Sequence, residues 1–204
     1  METLIDWGVA LRALKGQKVS GDLYLVESSE AGFLIAAIDG LGHGPEAAAA
    51  AQIAATVIRA NVHESTAQLF NRCHAELRET RGVAMSLASL NKQLQSLSWF
   101  GVGNVEGSLL REGDNGKLSW QSIALRGGVV GYQLPPLKPA ITSIRPRDII
   151  VFATDGIRSS FVEELSLRHF SMKAGELAHC ILHDHDKGTD DSLVLVVRYL
   201  GSES

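Results

Sequence analysis

Four aspartates in this sequence stand at the ends of apolar segments. Asp22 begins "DLYLV", Asp39 ends "FLIAAID", Asp155 ends "IIVFATD" and Asp190 stands just before "SLVLVV". If the first two segments pair as a hairpin around "SSEAG", Asp22 lies opposite Asp39, with the two Cβ atoms about 5 Å apart. Antiparallel pairing of the other two segments would bring Asp155 and Asp190 together at one sheet edge.

Carboxylates that converge in this way favour a metal site. They repel each other, and a desolvated carboxylate needs a counter-charge. Clustered oxygen ligands suit hard cations such as Mg²⁺ and Mn²⁺. A glycine follows both Asp39 and Asp155 and would let a ligand or a water approach the backbone. Each Asp-Gly pair alone is typical of a turn, but four acids beside apolar segments together indicate a site.

The elements that must position these acids are mostly β-strands. Segments Leu4–Leu14 and Leu23–Ile38 are predicted as β-structure, and Pro45 is suited to begin a helix over 46–61. Apolar residues at helical spacing predict a second helix over Ser65–Thr80. Further strands are predicted within 83–90, 100–110, 117–125, 129–134, 148–156 and 192–200, with a turn over 112–116 and a helix over Ala174–Asp186. This order indicates antiparallel sheets with helices outside them, an α+β fold.

The composition excludes several classes of function. The 204 residues, 45% of them hydrophobic, are enough to form a core without a disulfide. The net charge of -4 gives no general attraction for nucleic acid or an anionic membrane, so neither is an expected partner. Cys73 and Cys180 match no metal or redox spacing, which favours a reducing compartment. Without a signal-peptide pattern or a membrane-length apolar segment, the expected location is the cytoplasm.

Several motifs resemble those of a known family. In order, "SGDLYLV", "AAIDGLGHG", "VFATDGI" and "DDSLVLVVR" resemble the metal-dependent protein phosphatases of the protein phosphatase 2C-like (PPM) superfamily, in particular its SpoIIE-type bacterial branch. The glycine-histidine loop, "RGVAMSLASLN" and "FGVGNVEG" are similar to the stressosome phosphatases of the RsbX type. The resemblance implies two packed antiparallel β-sheets flanked by helices, an α-β-β-α sandwich. It also implies one catalytic domain over residues 1–204 with no attached sensor domain.

The same resemblance implies a centre of two Mn²⁺ or Mg²⁺ ions. Asp39 would bridge both ions, and the carbonyl group of Gly40 would bind one of them. Asp155 and Asp190 would complete the protein ligands of the other ion, and Asp22 would act mainly through metal-bound water. Asp39 and Asp155 are therefore the expected catalytic aspartates.

Some assignments stay open at this stage. Asp191 is adjacent to Asp190 and could exchange roles with it. His43 is a candidate to protonate the leaving group, because imidazole titrates near neutral pH; alternatively it orders its loop or caps the following helix. The run "HDHD" at 183–186 looks like a ligand cluster but fits a polar helix end better.

The sequence also leaves several candidates for the residue that would bind the substrate phosphate. Eukaryotic members of the family use an early arginine, which has no secure counterpart here. The N-terminus of the helix after Pro45 could also favour an anion. The candidate arginines are Arg81, Arg126 and Arg158.

The function implied by the resemblance is hydrolysis of phosphoserine and phosphothreonine without a covalent phosphoenzyme. Two cations lower the pKa of a shared water, so that hydroxide attacks phosphorus in line. The expected substrates are phosphorylated STAS-domain proteins of a stressosome (RsbS- and RsbR-like), which would make the chain a feedback regulator of stress signalling. The alternatives are a non-catalytic pseudophosphatase that acts as a binding module and a hydrolase of small phosphate esters.

Overall fold

The computed structural model of the protein describes residues 4–113 and 117–201, which form eleven strands and five helices. The strands are β1 (Ile5–Arg12), β2 (Asp22–Ser29), β3 (Gly32–Gly40), β4 (Val83–Asn91), β5 (Ser96–Val102), β6 (Glu106–Glu112), β7 (Leu118–Ser122), β8 (Leu125–Arg126), β9 (Ala140–Ser143), β10 (Ile149–Ala153) and β11 (Ser192–Tyr199). The helices are α1 (Pro45–Ala60), α2 (Thr66–Glu76), α3 (Phe161–Glu164), α4 (Leu167–Phe170) and α5 (Ala174–His185).

The strands form two sheets. The first sheet has the order β1-β11-β10-β6-β7, and the second has the order β2-β3-β4-β5-β8, with β9 also paired to β5. Neighbouring strands are antiparallel except for the two-residue β8, which runs parallel to β5. The buried run "IIVFA" forms β10 between β11 and β6, as its continuous apolar character predicts.

Three apolar clusters show that the sheets and helices are layered. One cluster lies between the two sheets and contains the large side chains Trp99, Phe152 and Tyr199. A second joins α1 and α2 to the second sheet, where the rings of Phe70 and Phe100 meet edge to face at 5.6 Å. The third joins α3, α4 and α5 to the first sheet. The predicted α+β fold, an α-β-β-α sandwich, is confirmed.

The alanine-rich helix and the second helix illustrate how the sequence forms these layers. Helix α1 begins at Pro45 and buries alanines along one side, which lets it approach the sheet closely. Helix α2 begins with a capping box in which Ser65 and Gln68 satisfy each other's backbone amides. It ends at Glu76 rather than at the predicted Thr80, because the chain tightens into turns after Leu77.

Other differences from the prediction lie in one strand and several short segments. The strand predicted within 100–110 is two strands, β5 and β6, separated by residues 103–105. Residues 129–134 form a turn around Gly131 rather than a strand, with an isolated bridge between Val130 and Val83. Strand β9 and the one-turn helices α3 and α4 were not predicted, and their length gives too few periods to reveal them in the sequence. Of the predicted turn over 112–116, residues 114–116 lie outside the described residues.

One glycine pair makes the contact between β1 and α5 testable. A Cβ on Gly8 would overlap the backbone of Gly175, whereas a Cβ on Gly175 would meet no heavy atom within 4 Å. We therefore expect Gly8→Ala to lower the free energy of unfolding by about 1–3 kcal/mol, since the helix must move. Gly175→Ala is the matched control and should leave it unchanged or raise it by up to about 1 kcal/mol. Urea denaturation followed by circular dichroism measures both, and equal effects would contradict this account of the packing.

Candidate metal centre

The β2–β3 hairpin places the first two acids side by side. Asp22 pairs directly with Asp39 in the antiparallel register, as the sequence predicts. The next residue, Gly40, continues the hairpin because its amide donates to the carbonyl of Gly21 at 3.1 Å. Both carboxylates therefore lie at one end of the second sheet.

Thr154 joins the two sheets at this end. It follows β10, and its hydroxyl donates to Oδ2 of Asp22 at 2.7 Å. The same hydroxyl accepts from the amide of Leu193 in β11 at 2.9 Å. Because Asp155 comes next in the chain, this buried contact brings the acids of the first sheet to those of the second.

The pKa values of Asp22 and Asp39 show that the acids share one electrostatic environment. Burial raises the pKa of Asp39 to about 9, with further increases from the charges of Asp22, Asp155, Asp190 and Asp191. Burial also raises the pKa of Asp22 to about 7; the hydrogen bond from Thr154 opposes this increase, and the charges of Asp191, Asp155 and Asp190 add to it. Asp22, Asp39, Asp155, Asp190 and Asp191, called the acidic cluster below, therefore repel one another across the end of the sandwich.

Asp190 and Asp191 have different surroundings. Asp191 is buried, and its two carboxylate oxygens accept from the amides of Leu14 at 2.7 Å and Gly21 at 2.6 Å. Asp190 is only partly buried, and its Oδ1 accepts from the amide of Asp191 at 2.8 Å. The Asp191 carboxylate thus anchors the segment before β2, whereas Asp190 keeps an oxygen that no backbone amide occupies. This arrangement favours Asp190 over Asp191 as the ligand.

Two residues that the sequence reasoning did not assign hold Asp155. Asn104 donates from Nδ2 to Oδ2 of Asp155 at 2.6 Å, and Lys187 donates from Nζ to its carbonyl oxygen at 2.6 Å. Burial and the charge of Asp190 raise the pKa of Asp155, while Lys187 and Asn104 lower it. Asn104 belongs to the motif "FGVGNVEG", which was a usable signal, but nothing in the sequence around Lys187 indicates this contact.

The glycines beside the acids serve the packing of the backbone. A Cβ on Gly40 would overlap the carbonyl group of Ala47 in α1, and one on Gly156 would overlap the carbonyl oxygen of Asp191. From the sequence, these glycines are expected to leave room for a ligand or a water. In the structure, the absence of a side chain lets α1 pack against Gly40 and the loop before β11 pack against Gly156.

His43 lies on the exposed loop between β3 and α1. Its Nδ1 is 3.1 Å from Nε2 of Gln17, and the residue at the helix cap is Gly44, which makes no side-chain capping bond. The contact with Gln17 fits a role in ordering the loop, and the helix-capping alternative is not seen. The Nε2 atom of His43 has no hydrogen-bond partner among the described residues.

The three candidate arginines occupy different places. The Arg81 guanidinium lies against the loop after Asp39, where a Cβ on Gly42 would be 2.8 Å from its Nη1, and it forms an exposed ion pair with Glu46. Arg158 instead donates to the carbonyl group of Asp184 at the end of α5, and Arg126 is exposed on β8. Arg81 is therefore the candidate that lies beside the glycine-histidine loop.

The "HDHD" run forms the end of α5, as the polar helix-end interpretation predicts. His183 is exposed and lies 2.8 Å from Asp184, while Asp186 accepts from Arg12 at 2.6 Å and from Ser192 at 2.8 Å. Its side chains therefore contact one another and the strands β1 and β11 on which the helix end packs.

The acidic cluster fits divalent cations in its chemistry, although its side chains do not surround an ion as they stand. Within residues 4–113 and 117–201, no group of three or more His, Cys, Asp or Glu side chains is arranged to hold a metal ion. The donors are nevertheless all oxygens, the type that Mg²⁺ and Mn²⁺ prefer. Burial and the charges of neighbouring acids raise the pKa values of Asp22 and Asp39, and a bound cation would favour the ionised form of both. No helix in these ranges has the length and apolar character needed to cross a membrane.

Comparisons with known proteins agree with this architecture. "Phosphoserine phosphatase RsbX" of Bacillus subtilis (strain 168) is 23% identical over 91 residues, which are 45% of this chain and 46% of RsbX. The aligned segment thus spans about half the length of that curated relative. A solved structure from work on the bacterial stressosome, described as a modular system adapted to control secondary messenger signalling, has a TM-score of 0.86 and 30% identity, covering 97% of this chain and 100% of the other. RsbX in complex with magnesium has a TM-score of 0.82 and 17% identity, covering 98% of this chain and 97% of the other.

A family model provides the assignment. Residues 29–200 match the model described as stage II sporulation protein E (SpoIIE). The match includes four acids of the acidic cluster and strands β3 to β11, whereas β1 and all but the last residue of β2 precede it. It agrees with the motifs found in the sequence. The chain belongs to the SpoIIE family and has the fold of the protein phosphatase 2C-like (PPM) superfamily.

Proposed function

We propose that this chain is a metal-dependent phosphatase of phosphoserine and phosphothreonine in proteins. The observation that carries the proposal is the convergence of the acidic cluster, in which burial and mutual repulsion raise the pKa of Asp22 to about 7 and of Asp39 to about 9. Binding of cations would offset the cost of burying these carboxylates in their charged form. Membership of the SpoIIE family and the likeness to phosphoserine phosphatase RsbX also support it.

The proposed ligands are those that the resemblance implies. Asp39 and the carbonyl group of Gly40 would bind one Mn²⁺ or Mg²⁺ ion. Asp39 would also bind a second ion, for which Asp155 and Asp190 would be the other protein ligands. Asp22 would act through water. When bound, two such cations supply a hydroxide nucleophile at neutral pH and neutralise charge on the phosphate.

The chain's own residues would keep this set in position. Thr154 fixes Asp22 through its hydroxyl, and Asn104 fixes the carboxylate of Asp155. Arg81 lies beside the loop after Asp39 and is the proposed phosphate-binding residue. Its ion pair with Glu46 is exposed and of a kind that contributes little to stability, so a substrate phosphate can replace Glu46 as its partner. Arginine binds phosphate well because its guanidinium offers two parallel donors.

A cysteine nucleophile does not fit the structure. Cys73 is buried, and burial raises the pKa of its thiol to about 12. Burial and the hydrogen bond to Asp184 also raise the pKa of Cys180. Since the thiolate is the nucleophilic form, neither thiol is activated for attack on phosphorus.

The proposed substrates are phosphorylated STAS-domain proteins of a stressosome, with RsbS- and RsbR-like proteins as the first to test. The likeness to a structure from work on the bacterial stressosome supports this choice. Such substrates would place the chain in the cytoplasm as a feedback regulator of stress signalling.

We expect Asp39→Asn and Asp155→Asn each to lower Mn²⁺-dependent phosphate release from such a substrate by at least about a hundredfold, as is typical for loss of an electrostatic catalytic group. Asp184→Asn removes an exposed acid from the end of α5 and serves as the control, with a rate close to that of the wild type. Full activity in both cluster variants would exclude the proposed site. Wild-type protein without Mn²⁺-dependent turnover would favour the binding module, and turnover of free phosphate esters alone would favour the small-ester hydrolase.

Asp39→Asn should lower the activity but raise the free energy of unfolding in the absence of metal. Because the pKa of Asp39 is raised from 3.8 to about 9, the folded chain holds a proton that the unfolded chain releases. In EDTA the free energy of unfolding should therefore fall as the pH rises from about 4 to about 9. Asn at this position removes that loss, so the variant should be more stable than the wild type at pH 8 in EDTA, by about 1–3 kcal/mol.

Urea denaturation at pH 5 and pH 8 in EDTA, and then with MnCl₂, tests this prediction. Mn²⁺ should stabilise the wild type through binding to the folded state and should stabilise the variant much less. A variant that is less stable than the wild type at pH 8 in EDTA would show that burial and repulsion do not disfavour the charged form of Asp39.

For His43, the informative comparison is between leaving groups. If His43 protonates a serine alkoxide, His43→Gln should lower kcat on a phosphoserine peptide by about 10²–10⁴-fold. It should have little effect on p-nitrophenyl phosphate, because nitrophenolate leaves without a proton. Equal losses on both substrates, measured as phosphate release with Mn²⁺, would instead indicate that His43 only orders its loop.

A further inference from the structure

A groove of about 350 Å³ opens between strands β6 and β7 and helix α3. Ser108 and Ser122 pair directly across the two strands, and their small side chains leave the space open. Trp120, which is 47% exposed, and Val162 of α3 provide apolar walls. The groove therefore offers a surface for extended chain or a long side chain.

The groove begins beside the acidic cluster. Glu106 lies in its lining and pairs with Ala153, two residues before Asp155. Ser159, four residues after Asp155, donates its hydroxyl to Oε1 of Glu106 at 2.5 Å. Asn104, which holds the Asp155 carboxylate, is two residues before Glu106. A polypeptide whose phosphoresidue is at the acidic cluster thus reaches the groove within a few residues.

The charge of the groove is negative. Glu106 and the exposed Glu163 are its charged residues, and no Lys, Arg or His lines it in the described parts of the chain. The partner of Glu106 is a neutral hydroxyl, which leaves the carboxylate charge uncompensated. A cationic side chain complements this surface.

We propose that this groove binds the segment flanking the phosphorylated residue of a protein substrate and selects a Lys or Arg in that segment. The aliphatic stem of such a residue packs against Trp120 and Val162, and its charged head meets Glu106 or Glu163. This inference rests on the proposed function, because it assigns the substrate class of the same site.

The test uses a set of phosphoserine peptides in which a single Arg is moved along an otherwise neutral sequence, on both sides of the phosphoserine. With wild-type protein and Mn²⁺, one position should raise kcat/KM over the neutral parent by about fivefold or more, and added salt should reduce the gain. Glu163→Gln should lower the ratio of kcat/KM between the basic and the neutral peptide. Glu163→Lys should reverse the charge preference, so that a peptide with Glu at the preferred position has a higher kcat/KM than the peptide with Arg there. Glu76→Gln, an equal change of charge at the end of α2, should keep the ratio.

A binding measurement separates failure of the groove from failure of the proposed function. Fluorescence anisotropy with the unphosphorylated peptides in EDTA should show the same preference for Arg and its loss in Glu163→Gln. Binding with that preference but without turnover supports the groove and overturns the phosphatase. Turnover with equal kcat/KM for all the peptides, or an unchanged preference in Glu163→Lys, overturns the groove and leaves the phosphatase standing.

Discussion

The burial of mutually repelling carboxylates at one end of the sandwich is the constraint on which the rest of this structure depends. Asp22 and Asp39 are held side by side with most of their surface removed from water, which is unfavourable for both charges. Strand pairing places Asp39 beside Asp22, and hydrogen bonds hold other acids of the cluster in position. Thr154 bonds Asp22, Asn104 bonds Asp155, and two backbone amides bond Asp191. The apolar layers must supply the stability that this arrangement removes.

The register of the β2–β3 hairpin makes this possible. Side chains alternate between the faces of a strand, so a shift of one residue would exchange the side chains of β3 that pack on α1 with those that pack on the other sheet. Both faces of β3 are buried, with Ile38 packed towards α1 and Ala37 towards the other sheet. The packing that forms the core therefore also fixes Asp39 opposite Asp22. Packing of Gly40 against the start of α1 then fixes the loop that carries His43.

How much of the site the sequence could predict depends on how far apart in the chain the interacting residues lie. The Asp22–Asp39 pair was predictable because a short turn and continuous apolar segments determine the hairpin. The layer order was predictable from the succession of strands and helices, and the motifs identified the family. The anchoring role of Asp191 was not, because it depends on amides of Leu14 and Gly21, more than a hundred residues away in the chain. The contact of Lys187 with Asp155 likewise exists only once α5 and β10 are packed.

The pairing of β6 with β10 connects the acidic cluster to its surroundings. It brings Asn104 to Asp155, and two residues further along it brings Glu106 to the edge of the neighbouring groove. The residues that would carry the chemistry come from strand ends and are constrained by burial and by one another. Glu163 is exposed on a one-turn helix and bears no such constraint. Substitution of Glu163 can therefore change which polypeptides the proposed groove accepts without disturbing the acidic cluster, to which the groove is linked through Glu106 and Ser159.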